Sequence, residues 1–66
     1  MLTYSVRTKG YKVVALNVSA LVAASELVDH MKASGLGVDS YVVIVGGKVL
    51  SNVQQWIDAL AQNIVG

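Results

Sequence analysis

The chain has 66 residues, a formal net charge of +1, 55% hydrophobic residues and neither cysteine nor proline. This excludes disulfides and thiolate metal sites, leaves the lone His30 without the companions of a His-rich metal cluster, and falls well short of the basic balance of a dedicated nucleic-acid binder. A single domain spanning 1–66 buries too little surface to be more than marginally stable alone, and without disulfide or metal the remaining staple is oligomerisation, a homodimer first.

Charge is unevenly placed: residues 1–16 hold Arg7, Lys9 and Lys12 with no acid, while residues 17–66 hold Lys32 and Lys48 against Glu26, Asp29, Asp39 and Asp58. Val13 to Val28 is the longest apolar stretch, but Asn17, Ser19, Ser25 and Glu26 interrupt it, and it is shorter than the roughly 20 residues of a spanning helix. Arg7, Lys9 and Lys12 stand where the apolar segment of a leader would lie. The expectation is a cytoplasmic protein with no membrane segment.

From Leu2 to Thr8, the apolar Leu2, Tyr4 and Val6 alternate with Thr3, Ser5 and Arg7, which spells a half-buried strand. Lys9-Gly10 reads as a tight turn with Gly10 at positive φ, and Tyr11 to Leu16 as the returning strand. That register sets Val6 opposite Val13, Tyr4 opposite Ala15 and Arg7 opposite Lys12. Two cations facing each other are unfavourable, so the last pair must splay into water or meet an anion.

Asn17 or Ser19 can cap a helix that runs to about Ser34, with Leu21, Ala24, Leu27, Val28 and Met31 at helical spacing and Gly35 placed for an αL cap. Glu26 and His30, four apart, and Asp29 and Lys32, three apart, read as surface pairs. Tyr41 to Val45 is β-branched or aromatic throughout, so both its faces call for cover. Gly46-Gly47 supplies the two positive φ values of a type I′ turn, pairing Val45 with Lys48 and Ile44 with Val49. Ser51 or Asn52 then caps a second helix, with Ser51 and Gln54 fitting a capping box and Val53, Trp56, Ile57, Leu60, Ala61 and Ile64 forming its apolar stripe.

These elements predict an α+β fold, ββαββα, with a four-stranded, mainly antiparallel sheet and both helices on one face. The alternative, βαββα, releases the first strand as an extended N-terminal arm. With both helices on one side, the other side carries Val42, Ile44 and Val49 beside Val14 and Leu16, an apolar patch expected to be a dimer interface.

No constellation for catalysis is legible. Gly46-Gly47-Lys48 lacks the GxxxxGK[ST] frame of a phosphate-binding loop and reads as a hairpin turn. His30 has only Glu26 as a local orienting partner, the aspartates are scattered, and no serine sits in a nucleophile elbow. No catalytic residue, metal ligand set or cofactor is therefore assigned.

The first functional expectation is a non-enzymatic, homo-oligomeric interaction module that binds and modulates another protein as a regulator or inhibitor, of the kind phages and plasmids carry as accessories. The second is a nucleic-acid binder in which Arg7, Lys9 and Lys12 contact phosphates and Tyr11 stacks on a base. The third is a minimal enzyme or small-ligand binder with a site at a subunit boundary near His30 or Tyr41.

Overall fold

A computed structural model describes the backbone of residues 2–65 and the side chains of residues 2–62; Ile64, read above as part of the second helix stripe, lies outside the described side chains. The strands are β1 (Tyr4–Thr8), β2 (Val13–Val18), β3 (Tyr41–Val45) and β4 (Lys48–Val49), and the helices are α1 (Ala20–Ser34) and α2 (Val53–Val65), with a short 3-10 turn at Val38–Ser40. They form one four-stranded antiparallel sheet in the order β2-β1-β3-β4. The first strand is thus no free arm: β1 is interior, paired with β2 on one side and β3 on the other. Since β2 and β3 are each antiparallel to β1, they run parallel to one another, and α1 is the crossover that joins them.

The second hairpin follows the sequence reading. Gly46 and Gly47 have φ of 56° and 82°, and Ile44 pairs with Val49 and Val45 with Lys48. The first hairpin departs from it. Its loop is Lys9-Gly10-Tyr11, with the Thr8 N–H donating to Lys12 O (2.8 Å) and the Tyr11 N–H to Thr8 O (2.9 Å). The left-handed position is taken by Tyr11 at φ 69°, not by Gly10. A type I turn followed by an αL residue is the usual three-residue hairpin loop, and the extra residue shifts the register.

Val6 accordingly pairs with Ala15 rather than Val13, Tyr4 with Val18 rather than Ala15, and Arg7 with Val13 rather than Lys12. Two irregularities in β2, between Val13 and Ala15 and between Ala15 and Val18, account for the remaining slippage. Asn17 belongs to the second of them, at φ 53°, a conformation that Asn tolerates better than most residues. The unfavourable Arg7–Lys12 opposition therefore does not arise.

Asn17 being spent on the bulge, Ser19 caps α1, its side chain accepting from the Val22 N–H at 3.3 Å, and Gly35 closes the helix at φ 76° with its N–H on Met31 O. The buried face of α1 is Ala23, Ala24 and Leu27, whereas Leu21, expected in the stripe, is 51% exposed. The two alanines have no bulk to hold the helix off the sheet, so it lies close over β1 and β2 and turns Leu21 outward.

At the start of α2 the capping box is not formed. Gln54 Nε2 donates to Asp58 Oδ1 at 3.0 Å, and the Asn52 carbonyl accepts from the Trp56 N–H at 3.2 Å. The core joins Val6, Ala15, Ala23, Leu27, Tyr41 and Val43, with Tyr4, Val45, Val53, Trp56 and Ile57 packed around it. Leu27, Val6 and Val43 are its largest fully buried side chains, each contributing about 1.5–3 kcal/mol of burial. Tyr4 and Trp56 stack at 5.4 Å between ring centroids and 11° between planes, which ties α2 to the interior strand. Among the described residues no helix is long and apolar enough to cross a membrane.

Candidate functional site

Both helices pack on the face of Tyr4, Val6, Tyr41 and Val43. Strand alternation then puts Ser5, Arg7, Val42 and Ile44 on the opposite face. Register extends that face into two rows: Val13, Arg7 and Val42 lie side by side across three strands, and Ser5 continues through Ile44 to Val49, with Leu16 one residue beyond the inward-facing Ala15 of β2. Among the described residues no element covers these rows. Val13, Leu16 and Val49 are 60%, 64% and 68% exposed, and Val42 and Ile44 are half-buried only by one another and their neighbours.

Of the five residues read from the sequence as an interface, Leu16, Val42, Ile44 and Val49 share this face. Val14 is the extra residue of the bulge, half-buried and packed partly against the core. Val13 takes its place in the row. Register slippage hid this, because a shift of one residue in β2 exchanges which side chain faces out.

Arg7 is the one charged residue in the two rows, and it is folded aside. Its guanidinium carbon lies 4.7 Å from the centroid of the Tyr11 ring, and Nη1 donates to Thr8 O at 3.1 Å. Tyr11 itself is 76% exposed at the hairpin tip. Arg7 and Tyr11 thus form a stacked pair, while Lys9 and Lys12 line a separate groove against the end of α1. The four residues read as a nucleic-acid site are near one another without forming one continuous basic stripe.

His30 has a partner that sequence spacing missed. Its Nδ1 lies 2.6 Å from Tyr41 Oη, which in turn lies 3.1 Å from Ser34 Oγ, and the His30 and Tyr41 rings meet edge to face at 5.5 Å. Tyr41 is only 4% exposed. One signal was available: a tyrosine opening a wholly apolar strand needs a hydrogen-bond partner when buried, and the helix that covers that strand ends in His30 and Ser34. The imidazole Nδ1 thus bonds Tyr41 and not Glu26, the partner that spacing suggested.

A shallow apolar groove of about 230 Å³ also runs between the helices, lined by Leu21, Val28, Ile57 and Leu60 among others. Among the described residues there is no group of three His, Cys, Asp or Glu side chains placed to hold a metal ion. Compared with known protein families, curated proteins and solved structures, the chain matches none.

Proposed function

We propose that the protein is a non-enzymatic interaction module that associates with a second copy of itself through the open sheet face and, as a dimer, binds and modulates another protein. The observation that carries this reading is the uncovered pair of largely apolar rows, Val13–Arg7–Val42 and Ser5–Ile44–Val49, together with the exposed Leu16.

Strands of five, six, five and two residues, at roughly 3.3 Å per residue and roughly 4.8 Å spacing, give a face of about 300 Å² in plan. That is a large fraction of the apolar patch a monomer ordinarily exposes. A second copy suits it best because the face is nearly free of charge and a twofold contact is self-complementary by construction. Two such sheets would pack about 10 Å apart with their strands some 30° out of alignment. The contact is small by the standards of stable complexes, so a weak, concentration-dependent dimer follows.

Sedimentation velocity over a wide concentration range tests this. The wild type should shift from monomer to dimer, and Ile44→Lys should remain monomeric at every concentration with its fold intact by circular dichroism. An Ile44→Lys protein that dimerises like the wild type, or a wild type that never leaves the monomer, removes this reading.

A nucleic-acid binder is the second reading, and Tyr11 favours it: an aromatic ring 76% exposed on a left-handed backbone is an uncommon arrangement. Arg7→Ala combined with Lys12→Ala should then abolish binding to single-stranded oligonucleotide at low salt. Absence of binding by the wild type eliminates it.

A further inference from the structure

The β1–β2 loop, the last turn of α1 and the 3-10 turn border a wide, shallow groove of about 660 Å³. Lys9 and Lys12 come from the loop, His30 and Ser34 from the helix, and Leu36 and Asp39 from the connection to β3. Three observations give the groove a chemistry.

The first is a fixed frame. The Lys9 N–H donates to Ser40 O at 2.9 Å, and the Lys12 N–H to Thr8 Oγ1 at 3.0 Å, so the backbone carrying both lysines is tied across the groove and within the loop. The second is an oriented imidazole. Tyr41 holds His30 through Nδ1, and Nε2 has no hydrogen-bond partner among the described residues. No buried side-chain nitrogen or oxygen lacks a hydrogen bond among the described residues, so Nε2 reaches solvent, and His30 is one of the residues that line the groove. When Tyr41 donates to Nδ1, the neutral ring keeps its proton on Nε2 and presents a donor.

The third is exposed charge. Lys9 and Lys12 are both exposed and bring two ammonium groups to a groove whose lining includes one acid, Asp39. Two cations and an imidazole N–H around a concavity suit a compact anion with several acceptor oxygens. Asp39 limits how much negative charge the groove can take. It would repel a continuous polyanion but can accept from a hydroxyl on a ligand bearing a single charged group.

We propose that this groove binds a phosphate monoester, its phosphate held between Lys9 and Lys12 against His30 Nε2 and the rest of the molecule lying on Leu36. This site is separate from the open sheet face and stands or falls independently of dimerisation.

The test is an NMR titration of the uniformly labelled protein with inorganic phosphate and then phenyl phosphate, against sodium chloride at matched ionic strength. Saturable shifts are expected at the amides of Lys9 to Lys12 and Ser34 to Ser40 and at the His30 ring, with phenyl phosphate binding more tightly than inorganic phosphate. Lys9→Ala with Lys12→Ala, both on exposed side chains, should weaken binding at least tenfold while leaving the melting temperature in place. Tyr41→Phe, which releases the imidazole, should weaken it several-fold.

Shifts that rise linearly and equally at Lys32 and Lys48 would mean simple screening and overturn the site, as would unchanged affinity in the double lysine variant. A single-stranded oligonucleotide that binds more tightly as it lengthens, at the same residues, would replace the phosphate monoester by a polyanion and overturn the proposal as well.

Discussion

Replacing Tyr41 by Phe removes one oxygen atom from the interior and keeps the ring, including its edge-to-face contact with His30 at 5.5 Å. Two hydrogen bonds are lost, to His30 Nδ1 at 2.6 Å and Ser34 Oγ at 3.1 Å. A net hydrogen bond contributes about 1 kcal/mol, and a group left unsatisfied costs more only if it stays buried. Ser34 is exposed and its Oγ still accepts from the Leu36 N–H at 3.3 Å, so it rehydrates, whereas the half-buried His30 loses its anchor.

Tyr41→Phe should therefore cost about 1–2 kcal/mol. Total stability at this size is about 3–10 kcal/mol, and each kcal/mol moves the melting temperature by about 4–8 °C. A drop of about 4–16 °C in a calorimetric scan is expected. The decisive measurement is a double-mutant cycle with His30→Ala, in which the pair should show a coupling of about 0.5–1.5 kcal/mol. Strictly additive effects would refute the reasoning, since they would mean that Tyr41 Oη and His30 Nδ1 are each served equally well by water.

Gly47→Ala forces a side chain onto φ 82° in the β3–β4 turn and should cost about 1–2 kcal/mol by chemical denaturation, with no steric neighbour to blame. Leu27→Ala empties the centre of the core, where Leu27 is fully buried; a loss of about 3–5 kcal/mol is expected, enough to leave much of the protein unfolded at 25 °C by circular dichroism. Ser19→Ala removes the cap on the Val22 N–H and should lower stability by about 0.5–1 kcal/mol, with hydrogen exchange accelerated in the first turn of α1 alone.

Much of the fold was legible because local chemistry specified it. Gly46-Gly47 admits few backbones other than a primed turn, Gly35 sits where a helix must stop, and the unbroken run Tyr41–Val45 marks a strand buried on one face and flanked by apolar neighbours on the other. What was not legible is what depends on contacts between distant segments. The pairing of β1 with β3 has no local signature, and the register of β2 depends on Tyr11 adopting an αL backbone that Gly10 would have been expected to take. The helix stripe was misread at Leu21 for a similar reason: periodicity finds a face, but the small volumes of Ala23 and Ala24 decide how that face is turned. The His30–Tyr41 pair is a tertiary contact across eleven residues, and spacing within α1 favoured Glu26.

The two bulges in β2 and the two-residue length of β4 fall on the outermost strands of the sheet. Irregular or abbreviated borders of this kind deny an incoming strand a continuous ladder to extend, so growth of the sheet sideways, chain after chain, is frustrated at both margins. A face is a different kind of surface. Once occupied by its own symmetry mate it offers nothing to a third chain, so association by that route counts to two and stops. Paired in the proposed way, a domain with this many uncovered valines would escape the open-ended assembly that its composition alone would invite.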